Sequence, residues 1–322
     1  MKRLRHPLSI ALGVAISLVS LWLAARNIEW DHAANAIRAV NAYELTIAVI
    51  FLVSGIFMRA ERWRIIISRP LGRNSVQWAT AIGFFFNYVY PARAGDVIKI
   101  VSLKGSTQLG LTRLGVSAVM DRMIDLLVLL VGLTLLVSTV PSTGAGKTFF
   151  HIALAALVVL MFAALSPAGE RFVALVERLL GDGRLTTGWR RLGHKAIEGF
   201  LTFRAEMADG SRRMRVVGVS SLVIAADYFS IFWLFQAFGW ELPLLAPVVV
   251  WVVIGMGAAL PSAPAGIGIH QLACVIALNI FGIGAADAFA FSIVLQLGSF
   301  FAILLVILCL SARQFIRKRP PT

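Results

Sequence analysis

The sequence predicts an all-α integral membrane protein of about eight spanning helices with a re-entrant helical hairpin in its first half. Three observations predict it. The chain of 322 residues is 59% hydrophobic and 14% charged, with a mean hydropathy of +0.84, whereas soluble domains carry about 25% charged residues. The charges are clustered: no Asp, Glu, Lys or Arg lies between Glu241 and Asp287, or between Asp287 and Arg313. Apolar stretches of about 20 residues match the hydrocarbon thickness of a bilayer. Finally, Lys and Arg gather in alternate inter-span segments, the pattern of cytoplasmic loops.

The first apolar run, 8–25, follows a basic start, as a signal peptide would. It is long for one and no small-residue cleavage motif ends it, so it reads as the first span. Further spans are expected at 43–58, 114–140, 149–165, 214–238, 244–260, 267–281 and 286–310. The whole chain, 1–322, forms one polytopic membrane domain.

Orientation follows from the basic residues. Lys2, Arg3 and Arg5 start inside, and Arg59, Arg62, Arg64, Arg69 and Arg73 follow the second span on the inside. Segment 166–213, with Arg171, Arg178, Arg184, Arg190, Arg191, Lys195, Arg204, Arg212 and Arg213, is inside, as is the basic C-terminal tail. Both termini are therefore cytoplasmic. Segment 166–213 reads as short basic amphipathic helices at headgroup level, with Phe172, Val176 and Leu180 on one apolar face and Ile197, Phe200 and Leu201 on another. It serves either as a solvated linker or as a contact for anionic lipid. The net charge of +14 is accounted for by this topology. No nucleic-acid motif accompanies it, so nucleic acid is excluded as a partner.

The same bookkeeping makes 76–112 enter and leave on one side, as a re-entrant hairpin or as two full spans. Polar residues after Pro91 favour the hairpin, because irregular backbone at membrane depth survives only in protein or beside a wet cavity. The two cysteines, Cys274 and Cys309, lie in apolar stretches without metal or disulfide spacing and read as packing residues. No cofactor or metal is implied.

Ionisable and polar groups at membrane depth are the candidate site. In Asn87–Lys99, Pro91 breaks the helix and Gly95 permits close approach. Asp96 suits a helix start and shares a face with Lys99, which leaves Arg93 for an anionic headgroup. Asp121 and Asp125 share a face of the next span, with Arg122 about 100° away. Both carboxylates are placed to meet a basic group, such as Arg93 or Lys99, as a structural pair or beside substrate. A second helix break is expected near 261–270, at Pro261, Pro264, Gly266 and Gly268, followed by His270 and Gln271. Paired Pro/Gly interruptions in the two halves point to a central transport site. His270 serves packing or proton coupling, and Asp227 and Gln296 read as interhelical hydrogen bonds.

Four of these pieces together resemble the flippase-like family named for the transmembrane region of lysylphosphatidylglycerol synthases. They are Arg59-Ala60-Glu61-Arg62-Trp63-Arg64, Asn87…Pro91-Ala92-Arg93-Ala94-Gly95-Asp96, Asp121-Arg122-Met123-Ile124-Asp125 and Pro261…Pro264-Ala265-Gly266-Ile267-Gly268-Ile269-His270, in order over nearly the whole chain. The family usually has Glu at the place of Asp96, Glu at that of His270 and Arg at that of Gln296. If 270 and 296 pair in relatives, both halves of an ion pair are replaced here. Relatives are associated with moving lipids, including aminoacylated phospholipids, between leaflets. The resemblance implies a stand-alone member in a bacterial cytoplasmic (inner) membrane. The chain stops at Thr322 without the soluble transferase domain of the synthases, so no lysyl transfer is expected and no catalytic constellation is visible.

Three functions fit. The first is lipid translocation through a polar groove between the broken helices. Asn87, Arg93, Asp96, Lys99, Asp121, Arg122, Asp125, His270 and Gln271 would line it, and Arg59, Arg62 and Trp63 would meet cytoplasmic headgroups. The second is ion-coupled transport of a small solute. The third is an accessory role beside a lipid-modifying enzyme. The expected partners are membrane lipids, anionic ones foremost, with a lipid-modifying enzyme or a second copy of the chain as further candidates.

Overall fold

The computed structural model describes residues 5–26, 28–90, 94–139, 201, 205, 208–258 and 263–317. Among them there are helices and turns and no strand. The expected span at 149–165 and nearly all of the basic segment 166–213 lie outside the described residues.

Helix α1 (Arg5–Ala25) leads through a turn to a short helix α2 (Trp30–Arg38) and then to α3 (Ala42–Ile67). At 1.5 Å per residue α3 is about 39 Å long, more than the ~30 Å hydrocarbon core. The run Arg59–Arg64 is therefore part of a continuous helix, not a loop after it. Helix α4 (Arg73–Val89) ends where Tyr90 turns extended, at φ −105° and ψ 143°. The proline that follows disfavours helical backbone at the residue before it. Helix α5 (Ala94–Gly105) runs for about 18 Å, and α6 (Leu111–Thr139) for about 44 Å.

After the undescribed stretch come α7 (Gly210–Ala237), α8 (Ala246–Ala258), a 3-10 turn at Pro264–Gly266, α9 (Ile269–Asn279) and α10 (Ala285–Arg317). Helices α3, α7 and α10 are long and apolar enough to cross a membrane. Helices α8 and α9, read from sequence as full spans, are 13 and 11 residues long. Neither reaches the ~20 residues a crossing needs. Left-handed backbone at Ala265, Gly266 and Gly268 lies at the break expected near 261–270 and delays the start of α9 to Ile269.

Two compact units divide the chain: Met1–Glu61, Leu71–Ser106 and Val219–Thr322 form the first, and Arg62–Pro70 and Thr107–Gly218 the second. In the first, Ile56, Ala81, Ala302, Ile303, Val306 and Leu310 make a core between α3, α4 and α10. A second core joins α1, α2, α9 and α10 through Ala24, Ile28, Ala33, Phe289 and Ala290. In the other unit Ile66 packs on Val216, with Met120 and Ile124 beside them.

Candidate functional site

Helices α4 and α5 form a tight hairpin because two glycines face each other. A methyl group on Gly83 would lie 2.8 Å from Lys99 Cβ and 3.0 Å from the Gly95 carbonyl oxygen. One on Gly95 would run into the Gly83 carbonyl and come within 2.6 Å of Asn87 Oδ1. Gly95, Lys99 and Leu103, four residues apart, are the buried face of α5. Lys99 is 7% exposed, so its ammonium stem is enclosed by the hairpin. Asn87 Nδ2 donates to Asp96 Oδ1 across the turn at 3.3 Å. On the α4 face towards α5, Asn87 Oδ1 and Thr80 Oγ1 are buried without a hydrogen-bond partner. Such acceptors favour donors supplied from elsewhere.

The second break touches the first hairpin: the Pro264–Gly266 turn packs against α4. Three bonds hold its shape. Gly268 N donates to Gln271 Oε1 at 2.7 Å, Gln271 Nε2 to Gln296 Oε1 at 2.6 Å, and Gln296 Nε2 to the Ala265 carbonyl at 2.8 Å. The relay starts and ends on the turn and passes through α10. From α1, Ser17 Oγ accepts the Ala263 N–H at 2.7 Å. At Gly268, where φ is +89°, a side chain would collide with the Ser17 carbonyl. Gln271 is therefore the partner of Gln296, whereas the sequence reading raises 270 and 296 only as positions that pair in relatives if an ion pair is kept there. His270 lies instead beside Cys274, Nε2 to Sγ at 3.9 Å.

Each unit also holds a buried or half-buried charge group on α3. In the second unit Arg62 is 1% exposed and donates from Nε to Asp121 Oδ1 at 2.7 Å and from Nη2 to Asp125 Oδ1 at 2.6 Å. Arg122 Nη1 approaches Asp125 Oδ2 at 3.5 Å. Trp63 is fully buried and its Nε1 donates to Ser117 Oγ at 3.1 Å. This corrects one expectation. Arg62 and Trp63 are interior residues and not headgroup contacts, since α3 continues through them. The carboxylates of Asp121 and Asp125 meet Arg62, and Arg93 lies outside the described residues. In the first unit Arg59 Nη2 pairs with Asp227 Oδ2, to which Trp251 Nε1 also donates at 3.1 Å. Arg59 is thus drawn inward to α7. Asp227 and Gln296 make the interhelical bonds expected of them.

Arg93, Pro91 and Pro261 fall outside the described residues. Sequence reasoning missed Ser17, Thr80 and Trp251. Ser17 and Ser20, three apart in the apolar first span, were the available signal, since small polar residues in a membrane helix mark packing faces. Among the described residues no group of three or more His, Cys, Asp or Glu could hold a metal.

A family model described as "Lysylphosphatidylglycerol synthase TM region" matches residues 10–307. No curated protein matches the chain.

Proposed function

The chain belongs to the lysylphosphatidylglycerol synthase TM-region family, and on that premise we propose that this membrane protein moves a lipid headgroup between leaflets along a polar path at its two broken hairpins. One observation carries the reading: the turn between α8 and α9 packs against α4, the helix that encloses Lys99, Asn87 and Asp96 with α5. A charged headgroup crosses bare hydrocarbon slowly because losing its water is costly. Cations and amide groups fixed at depth replace that water while the tails stay in lipid.

In this reading 76–112 is re-entrant, the termini face the cytoplasm of a bacterial inner membrane, and Arg93, Lys99 and Asp96 contact the headgroup. The length of α5, about 18 Å, supports re-entry because it falls short of the hydrocarbon thickness. Helix N-termini that point into such a break favour anionic groups. The test is headgroup translocation in liposomes of purified protein with labelled anionic, zwitterionic and aminoacylated lipids. Protein-dependent transfer that falls at least tenfold in both Arg93→Ala and Asp96→Asn is expected. A folded wild type that moves none of these lipids overturns the reading.

A further inference from the structure

The Arg59–Asp227 pair meets the second broken hairpin through Trp251 of α8, and nothing above gives it a task. Its depth is unusual. Asp227 lies ten residues before the end of α7 at Ala237, near the middle of the apolar span 214–238 read from the sequence. Arg59 reaches it from the inner part of α3 because helical side chains slant towards the N-terminus. A paired Arg and Asp at mid-membrane are costly to retain unless they are used.

The local construction suits exchange of partners. The pair is not sealed: the side chains are 23% and 16% exposed. Beside them α3 presents bare backbone. A methyl group at Gly55 would stand 3.1 Å from Arg59 Nη1 and 3.7 Å from Asp227 Oδ1. Trp251 of α8 donates to Asp227 Oδ2, a bond that holds the carboxyl in place whether or not Arg59 is there. Guanidinium binds phosphate as readily as carboxylate, through parallel N–H donors.

We infer that Arg59 is a mid-membrane station for a lipid phosphate, and that Asp227 is its displaceable counter-ion, taking up one proton for each headgroup bound. The inference rests on the translocation reading for its role but not for its chemistry. At rest the pair is neutral, +1 and −1. When phosphate takes over the guanidinium donors, Arg59 and the phosphate are again neutral, and Asp227 is left as an unpaired carboxylate at depth. That state is strongly disfavoured. A proton from water on Asp227 restores neutrality, and the carbonyl oxygen of the acid still accepts from Trp251.

Arg59 is the charged group that meets Asp227. On α3 the same face also carries Arg62, three residues on and held by Asp121 and Asp125, and Glu44, fifteen residues away, about 22 Å of helix. Helix α8 contains no titratable residue. On α7 itself Tyr228 gives its hydroxyl to the Leu244 carbonyl, and Arg215, the nearest basic residue, is twelve residues away, or about 18 Å.

The experiment uses purified full chain in nanodiscs of neutral lipid, titrated with water-soluble dihexanoyl phosphatidylglycerol in weak buffer with a pH indicator. Wild type is expected to take up about one proton per lipid bound, the stoichiometry that charge neutrality requires. Asp227→Asn, with its fold checked by size exclusion, should bind with no proton uptake. Arg59→Gln should bind at least tenfold more weakly. Binding by wild type without proton uptake overturns the inference, and needs no variant to be seen. So does absence of binding, or undiminished uptake in Asp227→Asn. Liposome transfer without proton-linked binding would leave the translocation reading standing and remove this station. Proton-linked binding without transfer would do the reverse.

Discussion

Arg62 is held by two carboxylates through two different nitrogens, and that geometry decides how it responds to change. Removing one member of a buried charge group leaves the others uncompensated, at a cost of about 3–5 kcal/mol. Arg62→Ala should therefore lower the unfolding midpoint sharply in detergent. The triple change Arg62→Met, Asp121→Leu and Asp125→Leu should recover most of the loss, because it removes the charges together with their desolvation cost. If the triple variant is no more stable than Arg62→Ala, the group is not what holds α3 to α6. Gly268 is constrained in another way: its positive φ and the carbonyl of Ser17 both exclude a side chain. Gly268→Ala should cost about 1–3 kcal/mol from backbone strain alone, with more from the collision. The same thermal measurement checks it, and Gly266→Ala, with open space around it, should cost less.

At the scale of elements, the two short hairpins are built by different means. In α4–α5 the backbones approach through Gly83 and Gly95, so contact replaces side chains. Small residues are what permit such approach between membrane helices. Gly95→Leu should wedge the hairpin open while the long helices still fold. The expected result is a normal size-exclusion profile with faster maleimide labelling of Asn87→Cys. Unchanged labelling would show that the two glycines do not set the spacing. In α8–α9 the turn is instead stitched by Gln271 and Gln296. A conservative Gln296→Leu deletes a donor and an acceptor at once, so the Ala265 carbonyl and Gln271 Nε2 are left unpaired. A loss of about 1–3 kcal/mol is expected from that desolvation.

For the whole molecule, the arrangement to be tested is the side on which the ends of the first hairpin lie. In a background with Cys274 and Cys309 replaced, Gly72→Cys and Gly105→Cys should both react with an impermeant maleimide from the cytoplasmic side. Labelling from opposite sides would make 76–112 a pair of crossings with an outer loop and would remove the re-entrant path.

Much of this was legible in the chain. Composition, the charge-free stretches and the Lys/Arg asymmetry determine a polytopic helical membrane protein by themselves, because hydrocarbon admits little else. Pro91 with Gly95, and Pro264 with Gly268, mark the breaks, since both residue types act on the backbone locally. What sequence could not assign was partnership. Arg59, Arg62 and Trp63 look like a loop after a span when charge is counted, yet α3 runs on and turns them inward, where carboxylates and a serine receive them. Asp121 and Asp125 find Arg62, about sixty residues earlier, and Gln271 finds Gln296. A local pattern reports a residue's cost of burial. Which distant group offsets that cost depends on how helices pack, and only the tertiary structure decides it.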